Sequence, residues 1–194
     1  MNSKLNISQR LFGHRGGDFK NIPKGINLCS KMNPLIAKEN LLLLKSVLDK
    51  NDVKFWLMFG TCLGAVRERD FIAWDYDIDL SMFLSDLEKF FAVYPELKKL
   101  GFEIIRALNF SFFTLLRKRE NLDFYVMYRN SKGDWRGPTF QLRKDYFSNL
   151  DEISFLGEKF LIPNNVSDFL SECYGHNWRT PTISRAGILP QPQP

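Results

Sequence analysis

An α+β domain, a mixed β-sheet flanked by helices, is the fold class this sequence predicts, and three observations predict it. Segments of helical and of strand periodicity alternate along the chain with no internal repeat. A strand, a Gly-Thr turn and a short helix follow one another between Val53 and Arg69, a local unit that needs a sheet to dock on. The 194 residues, 44% of them hydrophobic, suit one domain with a real core.

The elements follow in order. Residues 1–31 carry Gly13, Gly16, Gly17, Pro23 and Gly25 without clear periodicity and read as a loop-rich arm ahead of a catalytic domain over 32–180. Asn33-Pro34 is a helix start, and Leu35, Ile36, Leu42, Leu43 and Val47 support a helix to about Lys50, with four consecutive leucines pointing to deep burial. Val53 to Phe59 is apolar and β-rich, as a covered central strand requires, and it stops at Gly60-Thr61. Cys62 to Arg69 forms one short helix. Ile72 to Phe83 then reads as a strand in which Asp75, Asp77 and Asp79 alternate with Tyr76, Ile78 and Leu80, so the acids share a face.

Ser85 to Glu88 has the form of a capping box, and Leu87, Phe90, Phe91, Tyr94 and Leu97 continue a helix until Gly101. Strands are expected over Phe102–Ala107, Phe110–Lys118 and Leu122–Tyr128, with Asp123 at the start of the third and a turn at Asn130 to Gly133. Beyond Asp145 the reading is irregular chain, a hairpin around Gly157, a helix from Asn165 to about Tyr174 closed by Gly175, and a tail over 181–194.

Composition excludes several classes. No apolar run has signal-peptide or membrane-spanning length, which reads as a cytoplasmic protein with no membrane span. Cys29, Cys62 and Cys173 are three, scattered and without CxxC spacing, so neither a disulfide framework nor a zinc site is expected and the thiols read as reduced. The net charge of +5 is modest but uneven, dense at Arg117-Lys118-Arg119 and spread from Lys20 to Lys38; it favours phosphate-bearing partners, or is simply a solvated basic face.

The chemistry concentrates in two stretches, residues 59–67 and 74–80. A tight Gly60-Thr61 turn leading into a helix exposes backbone N–H groups suited to a phosphate, and Gly64 permits close packing beside it. Asp77 and Asp79, two apart on a strand, point the same way and can hold Mg²⁺ (or Mn²⁺) against a pyrophosphate. Residues four apart on an ideal strand are ~13 Å apart, so Asp75 and Asp79 share one ion only if the chain bends. Clustered carboxylates repel one another without a cation, which favours a metal site over a solvated strand. Arg67 either neutralises a donor pyrophosphate or pairs with Asp70 or Glu68. His176 and Trp178 read as structural, and His14 has no partner in view.

Residues 55–83 resemble the signature of the LicD family, which includes the fukutin-related proteins and bacterial phosphocholine transferases: a strand ending in Gly-Thr, then Leu-Gly-Ala-x-Arg, then Ile-x-Trp-Asp-x-Asp-x-Asp. Leu-Asp-Phe (122–124) resembles the family's later acidic strand, and 155–163 with 174–178 its closing segment, so the likeness spans about 35–181. Glu68 stands where the family often has His. The resemblance implies a nucleotidyltransferase-like fold with Asp123 as the third acid and metal ligand. It implies transfer of a phospho-alcohol, such as phosphocholine or ribitol phosphate, from a CDP-alcohol donor to a glycan acceptor, with CMP leaving. Asp77, Asp79, Asp123 and Asp75 would be catalytic, one of Asp123 and Asp75 taking the hydroxyl proton; Gly60, Thr61, Gly64 and Arg67 would bind substrate. Trp56, Trp74, Tyr76 or Trp135 would stack on cytosine.

Two other readings compete. A nucleotidyltransferase of the same fold would add NMP from an NTP to a small molecule, protein or RNA and release pyrophosphate. A silent glycan- or nucleic-acid-binding module would keep the fold without the chemistry, but the four acids disfavour nucleic acid as a partner.

Overall fold

A computed structural model of the chain describes residues 19–108, 111–138, 140–142 and 144–182. Among these, the helices are α1 (Pro34–Lys50), α2 (Phe59–Arg67), α3 (Leu87–Lys99) and α4 (Val166–Tyr174). The strands are β1 (Phe19–Lys20), β2 (Phe55–Leu57), β3 (Ile78–Phe83), β4 (Glu103–Leu108), β5 (Phe112–Arg117), β6 (Glu120–Arg129), β7 (Trp135–Arg136), β8 (Gln141–Leu142), β9 (Asp151–Phe155) and β10 (Glu158–Ile162). The main sheet runs β1-β4-β5-β6-β3-β2, with β7 and β8 continuing from β6. The β3–β6 pair is parallel and its neighbours are antiparallel, so the sheet is mixed, as the sequence predicts. The β9–β10 hairpin stands apart.

Asn33 caps α1 as expected: its side-chain oxygen accepts from the N–H groups of Leu35 and Ile36, and Pro34 occupies the first turn, where its missing N–H costs nothing. The four leucines divide by helical geometry. Leu41 and Leu44 are fully buried, while Leu42 and Leu43 are only half-buried against the same core, and Leu35 lies on the solvent side. One face of the sheet is covered by α3, whose Phe90 ring sits 4.8 Å from Phe113 of β5 and 5.4 Å from Phe124 of β6. Around α3 that face is apolar, and only at its far end do Arg117 and Glu120 lie on it, Arg117 bonding to Glu39 and Asn40 of α1; the opposite face carries Asp79, Asp123, Thr114 and Arg106.

Several boundaries differ from the sequence reading for local reasons. The strand expected over Ile72–Phe83 begins only at Ile78, because the Asp75 N–H donates to the Ile72 carbonyl and closes a turn. Helix α2 starts at Phe59 rather than Cys62, so Gly60 and Thr61 lie in its first turn. The Ser85–Glu88 capping box does not form: Leu84–Asp86 make a 3₁₀ turn, and the N-cap of α3, Asp86, gives no side-chain cap bond. Part of the N-terminal arm is ordered by pairing, Phe19 opposite Ala107 and Lys20 opposite Arg106. The hairpin around Gly157 is present, with Leu156 and Gly157 both at positive φ in a two-residue turn. Strands β7 and β8 are too short to leave a periodic signal. Cys62 and Cys173 are buried free thiols, and Cys29 is an exposed one. Among the described residues no helix is long and apolar enough to cross a membrane. His14, Phe110 and the tail beyond residue 182 lie outside the described residues.

Gly64 fixes how closely α2 approaches the segment leading to β3. A Cβ there would stand 2.7 Å from the Asp70 carbonyl oxygen and 3.2 Å from the Ile72 nitrogen, both backbone atoms. Gly64→Ala should therefore destabilise the fold by about 1–3 kcal/mol, the scale of overpacking, although alanine is the better helix former. Denaturant unfolding of the two proteins checks it; an unchanged or raised midpoint would show that the segment yields freely.

Candidate active site

Register builds the site. Arg106 of β4 pairs with Thr114 of β5, Thr114 with Asp123 of β6, and Asp123 with Asp79 of β3. These four residues form one row across four strands, and neighbours in such a row project from the same sheet face. The Thr114 hydroxyl donates to Asp123 Oδ1 at 2.6 Å, Arg106 donates through its terminal guanidinium nitrogen to Asp123 Oδ2 at 2.9 Å, and Arg106 Nε donates to the Thr114 hydroxyl at 3.1 Å. Asp123 is thus held on both oxygens.

Asp79 is held from the other side by the start of α2. The Gly60 N–H donates to its Oδ2 at 2.8 Å, the Tyr125 hydroxyl donates to its Oδ1 at 3.2 Å, and its own N–H donates to the Thr61 hydroxyl at 2.9 Å. A helix N-terminus favours an anion, and here the anion it meets is the Asp79 carboxylate. Met58 runs extended into the helix, and Phe59, at φ 34°, makes the sharp reversal between β2 and α2. Its ring is locked edge-on against Tyr125 and Phe140, each 5.0 Å away, packing that offsets the cost of a left-handed backbone.

The turn at 72–75 brings Asp75 back to the same point. A Cβ on Gly60 would lie 2.7 Å from Asp75 Oδ2 and 3.1 Å from Asp79 Oδ2, so glycine is what lets both carboxylates close on the helix start. The chain bends, and the separation of an ideal strand does not apply. Burial pushes the Asp75 carboxyl up to about 6. Burial, then the charges of Asp79, Asp123 and Asp75, pushes Asp77 up to about 10, with Arg106 opposing. Asp79 is raised by burial and by Asp75 and Asp123; Asp123 is raised by burial, against the pull of Thr114 and Arg106.

The structure therefore gathers Asp75, Asp77, Asp79, Asp123, Gly60 and Thr61, but changes what some of them do. Thr61 is buried and holds the backbone of Asp79, and the Gly60 N–H is committed to its carboxylate. Gly64 packs on backbone. Arg67, seven residues along α2 from Gly60 and so ~10 Å down the helix, is turned away: it pairs with Glu68 at 2.7 Å and donates to the Trp178 carbonyl at 2.9 Å. The pairing with Glu68 is the alternative the sequence left open. Trp178 is buried and structural. Trp56 is fully buried between Phe83 and Phe147, and Trp135 packs on Phe83, so neither can form a base-stacking wall; Trp74 and Tyr76 remain exposed beside the acids.

Sequence reasoning missed Arg106, Thr114, Tyr125 and Tyr174. Tyr174, at the end of α4, keeps an exposed side, while burial of its phenol and then the charges of Asp79 and Asp75 raise it. The tight β5–β6 turn at Lys118-Arg119 would have given Thr114 as the partner of Asp123 by counting back from the hairpin.

This arrangement is the fold of a nucleotidyltransferase. Solved structures of the lincosamide antibiotic adenylyltransferase LnuA with lincomycin bound (TM-score 0.51, 16% identity, 73% of this chain and 92% of that one) and of ANT(2″)-Ia in complex with adenylyl-2″-tobramycin (TM-score 0.50, 14% identity, 73% and 87%) share it. The LicD/FKTN/FKRP nucleotidyltransferase-domain family matches residues 52–165, and the chain belongs to that family. Ribitol-5-phosphate transferase FKTN of Homo sapiens is 29% identical over 157 residues, covering 75% of this chain and 33% of its own length. Ribitol 5-phosphate transferase FKRP of Mus musculus is 29% identical over 143 residues, 66% of this chain and 29% of its own. The chain spans about a third of the length of these relatives.

The raised Asp75 carboxyl has a measurable sign. The folded protein holds that proton more tightly than the unfolded chain does, so its contribution to stability is greatest below the unfolded value of 3.8 and is lost as pH rises to about 6. In chelator, the Tm of Asp75→Asn relative to the parent should climb between pH 4 and 7. A Tm difference that is flat across this range would show that Asp75 titrates normally.

Proposed function

We propose that this chain is a Mg²⁺-dependent transferase that moves a phospho-alcohol from a CDP-activated donor to a glycan hydroxyl. The observation that carries this reading is the register that sets Asp79 directly beside Asp123 at the start of α2. Membership of the LicD/FKTN/FKRP family supports it, as do the names of the ribitol-phosphate transferases it resembles.

The donor set suits a hard divalent ion. It is all carboxylate oxygen, and burial raises every member, with the charges of neighbouring carboxylates adding to it at Asp77 and Asp79. Among the described residues no three His, Cys, Asp or Glu side chains close around one point unaided, and Asp123 is turned to Arg106 and Thr114. That fits Mg²⁺, which is usually held by one or two carboxylates together with substrate phosphates and water. Asp77 and Asp79 would hold the ion, with Asp123 able to join them. A bound Mg²⁺ would offset charge on the donor pyrophosphate and on the departing CMP.

The chain's own residues supply the rest. Gly60 and Tyr125 fix the Asp79 carboxylate, so it needs no reorganisation during reaction. Among the described residues the Asp75 carboxylate accepts only the N–H of Tyr76, and with its carboxyl pushed up to about 6 it is poised as the general base. The acceptor oxygen attacks the alcohol-bearing phosphorus, its proton passes to Asp75, and the bond from that phosphorus to the CMP oxygen breaks. Trp74 and Tyr76, exposed beside the acids, are available to stack on a ring of either substrate.

The deciding experiment incubates the purified chain with Mg²⁺, CDP-ribitol, CDP-choline, CTP or ATP, and a set of oligosaccharide acceptors, and identifies the released nucleotide. CMP appearing with a phosphorylated glycan is the expected result; pyrophosphate released from an NTP would establish nucleotidyl transfer instead. In the same assay Asp75→Asn should lower turnover ~10²-fold or more with donor affinity little changed. Near-normal turnover would move the base to Asp123.

A second prediction concerns the ion alone. Titration of Mn²⁺ into the Asp77→Asn/Asp79→Asn double variant should show binding lost while circular dichroism stays native. Unchanged affinity would remove these two residues as ligands.

A further inference from the structure

The groups that sequence assigned to the donor phosphates are occupied elsewhere. The Gly60 N–H serves Asp79, and Arg67 serves Glu68 and Trp178. Of the basic run, Arg117 and Lys118 both pair with Glu39, and Arg119 donates to the Gly25 carbonyl. A donor pyrophosphate needs a cation at the acids themselves, and one is in place.

We propose that Arg106 is the phosphate-binding cation of this site. It reaches the carboxylates along the cross-strand row, and three contacts fix its guanidinium: Nε on Thr114, a terminal nitrogen on Asp123, and the plane over the Phe112 ring with 4.7 Å between guanidinium carbon and ring centroid. Such a fixed planar fork is the geometry that recognises phosphate oxygens in pairs. The second terminal nitrogen has no hydrogen-bond partner among the described residues, and 31% of the side chain is exposed, so one edge of the fork is open. A guanidinium serving only as a strut for Asp123 has no need of an open edge or of a solvent-facing side chain.

The assignment also accounts for Asp123. In the protein without ligand, Arg106 and Asp123 neutralise each other. Were Asp123 to serve as ligand to a divalent cation, Arg106 would be left with a charge to satisfy, and its open edge would offer that charge to phosphate oxygens. Thr114, bonded to both, is the pivot of this exchange.

The inference rests on the donor reading above, and the test separates the two. Calorimetry in Mg²⁺ measures CDP, inorganic pyrophosphate and cytidine binding to the parent, Arg106→Gln, Arg106→Lys and Lys118→Gln; Mn²⁺ affinity is measured on each without nucleotide. Arg106→Gln should weaken CDP and pyrophosphate about 10-fold or more, the worth of a charge-assisted bond, and leave cytidine unchanged. Arg106→Lys should recover part of the loss, and Lys118→Gln should match the parent. Mn²⁺ should bind Arg106→Gln at least as tightly as the parent, because a competing cation has left the carboxylates.

CDP and pyrophosphate binding Arg106→Gln as they bind the parent overturns the assignment. Loss of Mn²⁺ affinity in step with loss of CDP also overturns it and makes Arg106 a strut for Asp123. A parent that binds pyrophosphate but not CDP removes the cytidine donor while the pyrophosphate arm still decides Arg106. A parent that binds neither overturns both.

Discussion

The bond from the Gly60 N–H to the Asp79 carboxylate ties the first turn of α2 to the middle of the sheet, and the other features of the site are arranged around it. It demands a residue without a Cβ, a backbone reversal at Phe59, and a strand that ends close enough for Met58 to donate to the Asp79 carbonyl. Each demand is met by packing some distance away: the Phe59 ring among Tyr125, Phe140 and Phe169, and Gly64 against the backbone at 70–72. The conformational cost is local and the compensation is spread over the apolar contacts around it.

The sheet has two chemically distinct faces. The face under α3 is aromatic and aliphatic, with Phe113 and Phe124 stacked 4.8 Å apart. The other carries a line of charge and hydroxyl that would be unfavourable in a core, and it persists because every oxygen of Asp79 and Asp123 has a donor. Asp77 differs in having no hydrogen-bond partner among the described residues, and its position between Asp75 and Asp79 makes it the carboxylate least reconciled with its surroundings.

Fold class was legible because helical and strand periods alternate cleanly and because Asn33, Gly101 and Gly175 punctuate them. The acidic residues were legible too, since few surfaces place Asp75, Asp77 and Asp79 so close in sequence. The strand assignment for 72–77 failed because alternation of polar and apolar residues does not distinguish a strand from the turn closed between Ile72 and Asp75. Arg67 was misplaced because the reading took the turn to precede the helix; with Gly60 and Thr61 inside it, Arg67 falls at the far end. Arg106 left no signal, for an arginine among Ile104, Ile105 and Ala107 looks like any strand residue until pairing with Thr114 gives it a direction.

Among the described strands, the one parallel pairing in the main sheet joins segments far apart along the chain. Every contact between β3 and β6 closes over α3 and the β4–β5 hairpin, and the Tyr125 hydroxyl reaches Asp79 across 46 positions of chain. Hairpins and helices form from near neighbours in microseconds, whereas a distant parallel pairing must wait until loop-closure entropy has been overcome. The Asp79 and Asp123 carboxylates are therefore brought together only through a non-local pairing. An unfolded chain keeps them apart, so the arrangement of acids around the start of α2 belongs to the folded molecule alone.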